Sequence, residues 1–476
     1  MVFSSEIFLF LFLPTFLALY YLTPFRFRSA LILAGSYLFY GWWRFDFLLL
    51  LFLTTLWTYG IGHRIAANLG TRRARVWCGI GVTGCLSVLG VFKYLNFFID
   101  SFAALFGTTA EGLDIHWRLI LPIGVSFYVF HCISYLVDVL RQDAKPTRNF
   151  FDFAAFIALF PQLVAGPILR FKDLAHQFEH RSHTPQKFAD GMAWFAIGLG
   201  KKVLIADTLA PLADLAFATP DPSAPLAWAG GVAYMLQLYF DFSGYSDMAM
   251  GLGLMMGFKF RENFDTPYIS ASITEFWRRW HISLSVWLRD YLYIPLGGNR
   301  VSGGRTYVNL MTVMVLGGLW HGANWTFVVW GIWHGGWLAA ERWLGWSMRP
   351  RTASRVALTL LVVLLGWVVF RAPDITQAVG FYAGMLGLNG LSLPVEVALQ
   401  ITRESLVIMA FAILVCAVEP MAREIVVRRY YVPSGPGGAL AATDTLVPML
   451  VTSAIFALSV MRLAEQSFSP FLYFQF

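Results

Sequence analysis

Residues 274–300 read TEFWRRWHISLSVWLRDYLYIPLGGNR, and residues 307–337 read YVNLMTVMVLGGLWHGANWTFVVWGIWHGGW. The first segment concentrates charge in an otherwise apolar chain, and its large apolar side chains recur every three or four residues, a spacing that predicts one face of a helix. The second segment lies in a run without charge from Thr306 to Ala340, long enough to cross a bilayer. Together they predict a charged amphipathic helix packed against a deeply buried apolar one.

Two histidines in these segments each follow a tryptophan. His281 lies one helical turn before Ser285, and His321 lies in the charge-free run. A buried imidazole in a membrane segment is costly and marks a functional site by default. A neutral imidazole can take a proton from a hydroxyl near pH 7, as acyl transfer to an alcohol requires. We expect the two rings to meet and Asn324 to share a helix face with His321; a structural role is the alternative, which we favour for His334.

Composition predicts a membrane protein. Hydrophobic residues make up 58% of the chain and charged residues 13%, about half the usual charged share of soluble proteins. The net charge of +7 therefore concerns loops and membrane orientation rather than nucleic acid. The four cysteines are scattered, and no HExxH, GxSxG or P-loop pattern occurs, so we expect no disulfide, no metal site and no cofactor.

Apolar runs of about 20 residues mark candidate membrane spans. They cover 7–25, 29–44, 45–62, 75–92, 118–138, 151–169, 191–206, 222–242, 244–258, 306–322, 323–342, 354–371, 405–419 and 445–461. We expect an all-α polytopic membrane protein with roughly 11 transmembrane helices, plus re-entrant and interfacial helices, in a single domain over 1–476. Gly166 and Pro167 interrupt the sixth candidate, which we expect to be re-entrant, and 433–438 is typical of a flexible loop.

Loop charge predicts the orientation. Basic residues follow the first, third and fifth candidate spans, whereas loop 100–114 carries three acidic residues and no basic one. Because basic loops stay on the cytoplasmic side, we expect 64–75 and 141–148 to lie in the cytoplasm. The N-terminus and loop 100–114 are then expected on the outer side of the membrane, which the family resemblance described below makes the periplasmic side of a bacterial inner membrane.

Further segments give the chain a family resemblance. They are MVFSS (1–5), GSYLFYGWWRFDF (35–47), LPIGVSFYVF (121–130), FPQLVAGPILRF (160–171) and QLYFDFSGYSDMAMGLGLMMGF (237–258). With the two histidine segments they resemble the membrane-bound O-acyltransferase family, in particular its branch that acetylates polysaccharides. The resemblance implies helices around a central tunnel, a catalytic core over about 118–345, and His281 and His321 as the catalytic pair, with His321 as the catalytic base.

The resemblance also implies an activity. Acetyl would move from a cytosolic thioester, acetyl-CoA or a carrier-protein thioester, toward an exopolysaccharide such as alginate or cellulose, through a periplasmic relay protein. Asn324 or protonated His281 would stabilise the oxyanion. The donor phosphates would meet a set of arginines, for which membrane anchoring or pairing with Asp290 or Glu275 is the alternative. These arginines are Arg278, Arg279, Arg289, Arg300 and Arg305.

Segment 237–247 carries Asp241, Tyr245 and Asp247 among apolar neighbours. They could line a polar tunnel or hold a basic residue of 278–300; a structural ion pair between helices is the alternative. Two other functions stay open at this point. A transporter or flippase for a glycan or lipid precursor would also use intramembrane histidines and broken helices, and a scaffold for an envelope polysaccharide complex would need no catalysis.

Overall fold

A computed structural model of the chain describes residues 1–430, 442–465 and 471. The described residues form α-helices with short π- and 3₁₀-helical segments and contain no β-strand. The predicted all-α class is therefore confirmed. The flexible loop predicted over 433–438 lies outside the described residues.

The N-terminal part of the chain forms a bundle of nine helices within 1–179, all of which is described. They are α1 (Leu13–Leu22), α2 (Arg28–Gly41), α3 (Asp46–Ala67), α4 (Arg72–Leu89), α5 (Leu95–Leu105), α6 (Val125–Arg141), α7 (Phe150–Ala158), α8 (Phe160–Leu163) and α9 (Phe171–Glu179). A π-helical segment, Gly90–Tyr94, joins α4 to α5. Helices α3, α4 and α6 pack against one another, and α7 packs against α2.

The predicted interruption of the sixth apolar run is confirmed. Helices α7 and α8 are short, and residues 164–170 are non-helical yet buried. A Cβ added to Gly166 would lie 2.5 Å from Gln162 Cα, so this turn needs a residue without a side chain. Irregular backbone at such depth is tolerated where protein covers it, as it does here.

A long central helix follows. The π-helical segment Lys201–Ala206 joins α10 (Pro185–Gly200) to α11 (Asp207–Ala218), and α12 extends over Ala224–Met255 with most of its residues buried. The prediction of two spans over 222–242 and 244–258 is wrong, because α12 is continuous through Gly244. That glycine is a contact point rather than a break: its added Cβ would lie 2.7 Å from the Gly198 carbonyl oxygen on α10.

The remaining described residues form nine more helices. They are α13 (Ile273–Arg279), α14 (Ile282–Leu288), α15 (Gly303–His321), α16 (Trp325–Trp343), α17 (Ala353–Arg371), α18 (Ile375–Met385), α19 (Val395–Ala398), α20 (Arg403–Tyr430) and α21 (Ala442–Glu465). The single amphipathic helix predicted over the first quoted segment is therefore wrong. It breaks between α13 and α14, and a π-helical segment, Arg289–Tyr293, follows α14.

Two apolar cores meet at α12. One lies between its second half and the N-terminal bundle, and the other lies between its first half, α11, α17 and α18. Helix α12 is apolar on every face, as expected of a helix buried all round. Helices α15 and α16 pack closely through glycines: a Cβ added to Gly331 would lie 2.6 Å from the Met314 carbonyl oxygen. Small residues allow this close approach in membrane helices.

Five helices in the described part of the chain are long and apolar enough to cross a membrane. They cover Asp46–Ala67, Arg72–Leu105, Ala353–Arg371, Arg403–Met421 and Val447–Glu465. The chain is a membrane protein, and the expected count of roughly 11 spans stays a prediction, as do the orientation and the tunnel.

Candidate active site

His281 lies in the break between α13 and α14. Its backbone has φ 43° and ψ 53°, a left-handed conformation that non-glycine residues adopt rarely and that clusters at functional sites. Two backbone hydrogen bonds hold this conformation from both sides. Asp265 N donates to Arg279 O at 2.8 Å, and Ile282 N donates to Asn263 O at 2.9 Å. The chain at 263–265 therefore fixes the backbone around the histidine.

Asn263 also fixes the side chain of His281. Its Oδ1 accepts from Ser283 N at 3.2 Å and from Ser283 Oγ at 2.8 Å, and it lies 3.1 Å from His281 Nδ1. Since a backbone N–H donates to this atom of Asn263, it must be the amide oxygen and not the amide nitrogen. An oxygen can only accept, so Nδ1 of His281 must carry the hydrogen. The Nε2 atom of His281 is buried without a hydrogen-bond partner among the described residues. In the neutral ring, Nε2 is therefore a free proton acceptor.

His321 ends α15. The next residue, Gly322, is extended, and Asn324 begins α16 as its N-cap by accepting from Thr326 N at 3.2 Å. The amide group of Asn324 donates to Pro373 O at 2.7 Å. The prediction that Asn324 shares a helix face with His321 is wrong, because the helix stops between them. Both ends of its side chain are engaged in holding this break.

The two histidine rings meet, as predicted. Their centroids are 6.2 Å apart with the ring planes at 61°, and both side chains are buried. Phe242 of α12 packs edge-on against His281 at 4.7 Å. Trp330 and Phe370 pack edge-on against His321 at 5.3 Å and 5.2 Å. Aromatic walls of this kind exclude water from the two imidazoles.

His334 lies on the other side of Trp330, at 4.9 Å between ring centroids. His321 and His334 lie on two separate helices, α15 and α16. Both nitrogens of His334 are buried without a hydrogen-bond partner among the described residues, and its contacts are aromatic. Its predicted structural role stays a prediction.

Glu341 connects the charged segment to α16. Its carboxylate accepts from Ile273 N at 2.5 Å and from Thr274 N at 2.8 Å, at the start of α13. Ser272 caps the same helix by accepting from Glu275 N at 3.0 Å. A carboxylate at a helix N-terminus is favourable, so this buried acid fixes α13 beside the site. The sequence analysis missed it.

The donor-binding arginines predicted from the sequence divide into two groups. Arg279 donates to Glu275 at 2.9 Å and to Asp265 O at 3.1 Å, and Arg289 donates to Asp290 at 2.7 Å. These two arginines form ion pairs with Glu275 and Asp290, which was the alternative to donor binding. The other three arginines are exposed, as Arg289 also is. They are Arg278, Arg300 and Arg305.

Asp241 and Tyr245 are engaged elsewhere on α12. Asp241 pairs with Lys202 at 2.8 Å, so the structural ion pair between helices is present. Asp247 likewise pairs with Lys201 at 2.8 Å. The ring of Tyr245 stacks on Phe3 at 4.7 Å. These charges join α12 to the π-helical segment after α10.

Lys93 is a further residue that the sequence analysis missed. Its ammonium group is buried at the carbonyl end of α15, against the backbone of His321. The signal was present, since Lys93 is the only charged residue between Arg75 and Asp100. Asn263 gave no such signal, because it lies in a polar loop between α12 and α13. Among the described residues, no cluster of three or more His, Cys, Asp or Glu side chains is arranged to hold a metal ion.

The sequence has close relatives. The sequence model of the membrane-bound O-acyltransferase family matches residues 85–375. The probable alginate O-acetylase AlgI of Azotobacter vinelandii is 52% identical, and that of Pseudomonas aeruginosa is 49% identical, each over 100% of both chains. The peptidoglycan O-acetyltransferase of Helicobacter pylori is 37% identical over 83% of this chain and 81% of its own.

Proposed function

The chain belongs to the membrane-bound O-acyltransferase family and is an acyltransferase, and from that premise we propose that it moves acetyl from a cytosolic thioester toward a periplasmic acceptor in the O-acetylation of an exopolysaccharide such as alginate. Family membership decides against the transporter and scaffold alternatives. The full-length similarity to proteins named for alginate O-acetylation supports the polysaccharide as destination. The relative named for peptidoglycan supports transfer to a glycan more broadly.

The observation that carries the mechanism is the buried pair of histidine rings, 6.2 Å apart at two helix ends. His321 takes the proton of the acceptor hydroxyl as its oxygen attacks the thioester carbonyl. The C–O bond forms, the tetrahedral oxyanion collapses and the C–S bond breaks. The proton then passes from His321 to the leaving thiolate, so that the enzyme returns to its starting state. General base catalysis of this kind contributes about 10²–10⁴ in rate.

His281 assists in this scheme as a second acceptor. Since Asn263 fixes the hydrogen on Nδ1, a donor role for Nε2 toward the oxyanion would require a protonated ring. The neutral tautomer favours a role in receiving or relaying the proton beside His321. Asn324 is engaged in capping and is therefore a weaker candidate for the oxyanion donor than the sequence suggested.

A basic cavity supports entry of the donor, acetyl-CoA, next to the 141–148 loop that is expected in the cytoplasm, because Lys172 of the cavity pairs with Asp143 of that loop at 2.7 Å. It has a volume of about 610 Å³ and is lined by five lysine and arginine side chains and one carboxylate, Asp173. The basic residues are Lys172, Arg181, Lys187, Lys259 and Arg261. Such a set suits the phosphates of a coenzyme A thioester. Exposed Arg278 and Arg300 are additional candidates, and a carrier-protein thioester is the alternative donor.

A short chain of hydrogen bonds joins the wall of the cavity to His281. Leu169 lines the cavity, and the preceding residue, Ile168, donates its N–H to Ser283 Oγ at 2.9 Å. Ser283 in turn donates to Asn263, which holds His281. These bonds place the cavity close to the histidine pair, and we propose that the acetyl group reaches the pair from this side, the cytoplasmic side of an inner membrane. The acceptor, or a periplasmic relay protein, then approaches from the side of the N-terminus.

The decisive experiment measures transfer by purified protein. Detergent-solubilised protein, without a vesicle or gradient, is given radiolabelled acetyl-CoA together with mannuronate oligosaccharide or a periplasmic relay protein. Wild type is expected to transfer label, and His321→Gln, which keeps the volume but not the base, is expected to lose at least about 10²-fold. His334→Ala serves as the matched histidine control and is expected to keep much more activity. Transfer by His321→Gln at the wild-type rate would show that His321 is not the general base.

A further inference from the structure

Two consecutive side chains bind the end of the helix that carries His321. Lys93 Nζ donates to the carbonyl oxygen of Trp320 and, at 3.3 Å, to that of His321. The Tyr94 hydroxyl donates to the Leu319 carbonyl oxygen at 2.8 Å. Three successive carbonyls of α15 are therefore held by adjacent residues at the end of the π-helical segment Gly90–Tyr94.

These carbonyls need partners because of where they lie. The last four carbonyls of a helix have no partner within it, and an unpaired carbonyl is costly in the apolar interior of a membrane. A positive charge at this end also complements the helix dipole. Lys93 has its third hydrogen bond to Ser126 Oγ of α6, at 3.2 Å, so all three ammonium donors are satisfied.

The position of Lys93 suggests more than a cap. A lysine that is 8% exposed within an apolar segment is expensive, and such residues mark functional sites. One of the carbonyls it binds belongs to His321 itself, and the next residue, Gly322, turns into extended backbone. The ammonium group therefore fixes the backbone of the proposed base at the point where the helix no longer does.

We propose that Lys93, supported by Tyr94, is a positioning residue for catalysis, which holds His321 in its reactive place by binding the carbonyl end of α15. The inference rests on the proposed role of His321 as the base. A displacement of about 1 Å in a reacting group can cost about 10²-fold in rate. Loss of the hydrogen bonds from Lys93 to α15 is therefore expected to lower kcat. It should leave the KM for the donor nearly unchanged, because the proposed donor cavity is lined by other residues.

The test compares variants in the purified protein. Lys93→Met keeps the length of the side chain and removes the charge, and it is expected to lower kcat by about 10²-fold, whereas Lys93→Arg restores part of the loss. Tyr94→Phe is the milder variant, and it applies if Lys93→Met fails to assemble. Its matched control is Tyr382→Phe, which removes an equivalent hydroxyl bond to the Leu365 carbonyl, at 2.6 Å. Tyr94→Phe is expected to lower kcat, and Tyr382→Phe to leave it unchanged.

A second readout separates positioning from general stability. In a His321→Ala background, Lys93→Met is expected to cause no further loss of the residual rate, since the two residues act as one unit. A further loss of the same size as in wild type would overturn the proposal, as would equal kcat values for Tyr94→Phe and Tyr382→Phe. Failure of the proposed function is distinguishable, because it appears as full activity in His321→Gln.

Discussion

Replacing Asn263 by alanine is expected to damage both the stability of the protein and its catalysis. The side chain is 1% exposed, and its Oδ1 accepts from three groups: His281 Nδ1, Ser283 N and Ser283 Oγ. Its Nδ2 donates to Ser246 Oγ at 3.1 Å. It is therefore the junction between α12, α14 and the break that contains His281.

The size of the effect follows from these bonds. A buried donor left without its acceptor costs about 1–3 kcal/mol, so three of them imply a loss of about 3 kcal/mol or more before relaxation. The same change frees the ring of His281 to rotate and to exchange its tautomer, which is expected to lower kcat by about 10-fold or more. Ser246→Ala is the matched control, since it removes one bond to Asn263 and leaves the three at Oδ1. It is expected to cost about 1 kcal/mol and to keep most of the activity.

Thermal unfolding in detergent and steady-state acetyl transfer test this on the same preparations. Asn263→Ala is expected to unfold several degrees below Ser246→Ala and to have the lower kcat. If the two variants unfold together and turn over at the same rate, Asn263 does not hold His281 and the tautomer argument fails. If Asn263→Ala is unstable but keeps full kcat, the residue supports the fold and not the reaction.

Three further predictions concern orientation, the donor and pH. Single cysteines at Thr108 and Ala144 are expected to react with a membrane-impermeant reagent from opposite sides, and labelling from one side would refute the orientation. Arg278→Ala is expected to raise the KM for the donor more than it lowers kcat, and an unchanged KM would show that Arg278 only anchors the chain. Arg279→Ala is expected to lower the melting temperature, because it breaks contacts with Glu275, Asp265 and Thr266. Burial, followed by the charges of neighbouring arginines, lowers the pKa of His183 to about 4, so protonation of this ring favours the unfolded state. Its contribution to stability is complete above the unfolded pKa of 6.5 and is lost as pH falls toward 4. A melting-temperature profile against pH should therefore be flatter between these values in His183→Gln than in wild type, and an unchanged profile would contradict this.

The sequence was sufficient for the fold class and for the histidine pair. Length and apolar composition predict a membrane protein. Without strands, only α-helices satisfy the backbone hydrogen bonds of a chain in lipid, so the predicted protein is helical. His321 stands out because histidine is conspicuous in an apolar run, and His281 because it follows a tryptophan in the neighbouring charged segment; their rings do meet. The sequence predicts that the two rings meet because both residues follow a tryptophan in segments that are expected to pack together.

What the sequence did not reveal depends on where helices stop. The periodic aromatics of 274–293 predicted one helix, but the segment breaks at His281, where a non-glycine residue takes a left-handed conformation. The spacing between His321 and Asn324 likewise suggested a shared face that the end of α15 removes. Periodicity carries no information on such breaks when neither Gly nor Pro marks them, as at His281. Tertiary contacts from 263–265 impose that conformation, and they are far away along the chain.

Both histidines lie at helix ends, a position that suits the proposed reaction in an apolar setting. A histidine in the middle of a helix has neighbouring turns on both sides of its ring. A histidine at a helix end has a neighbouring turn on only one side, so its ring is more accessible to a reactant. The break exposes backbone groups that lipid cannot satisfy, so buried polar residues must be supplied with it. Lys93 and Tyr94 meet that need at His321, and Asn263 meets it at His281. The same contacts that make the breaks tolerable also orient the two imidazoles, which is why polar residues far apart in the sequence converge on this site.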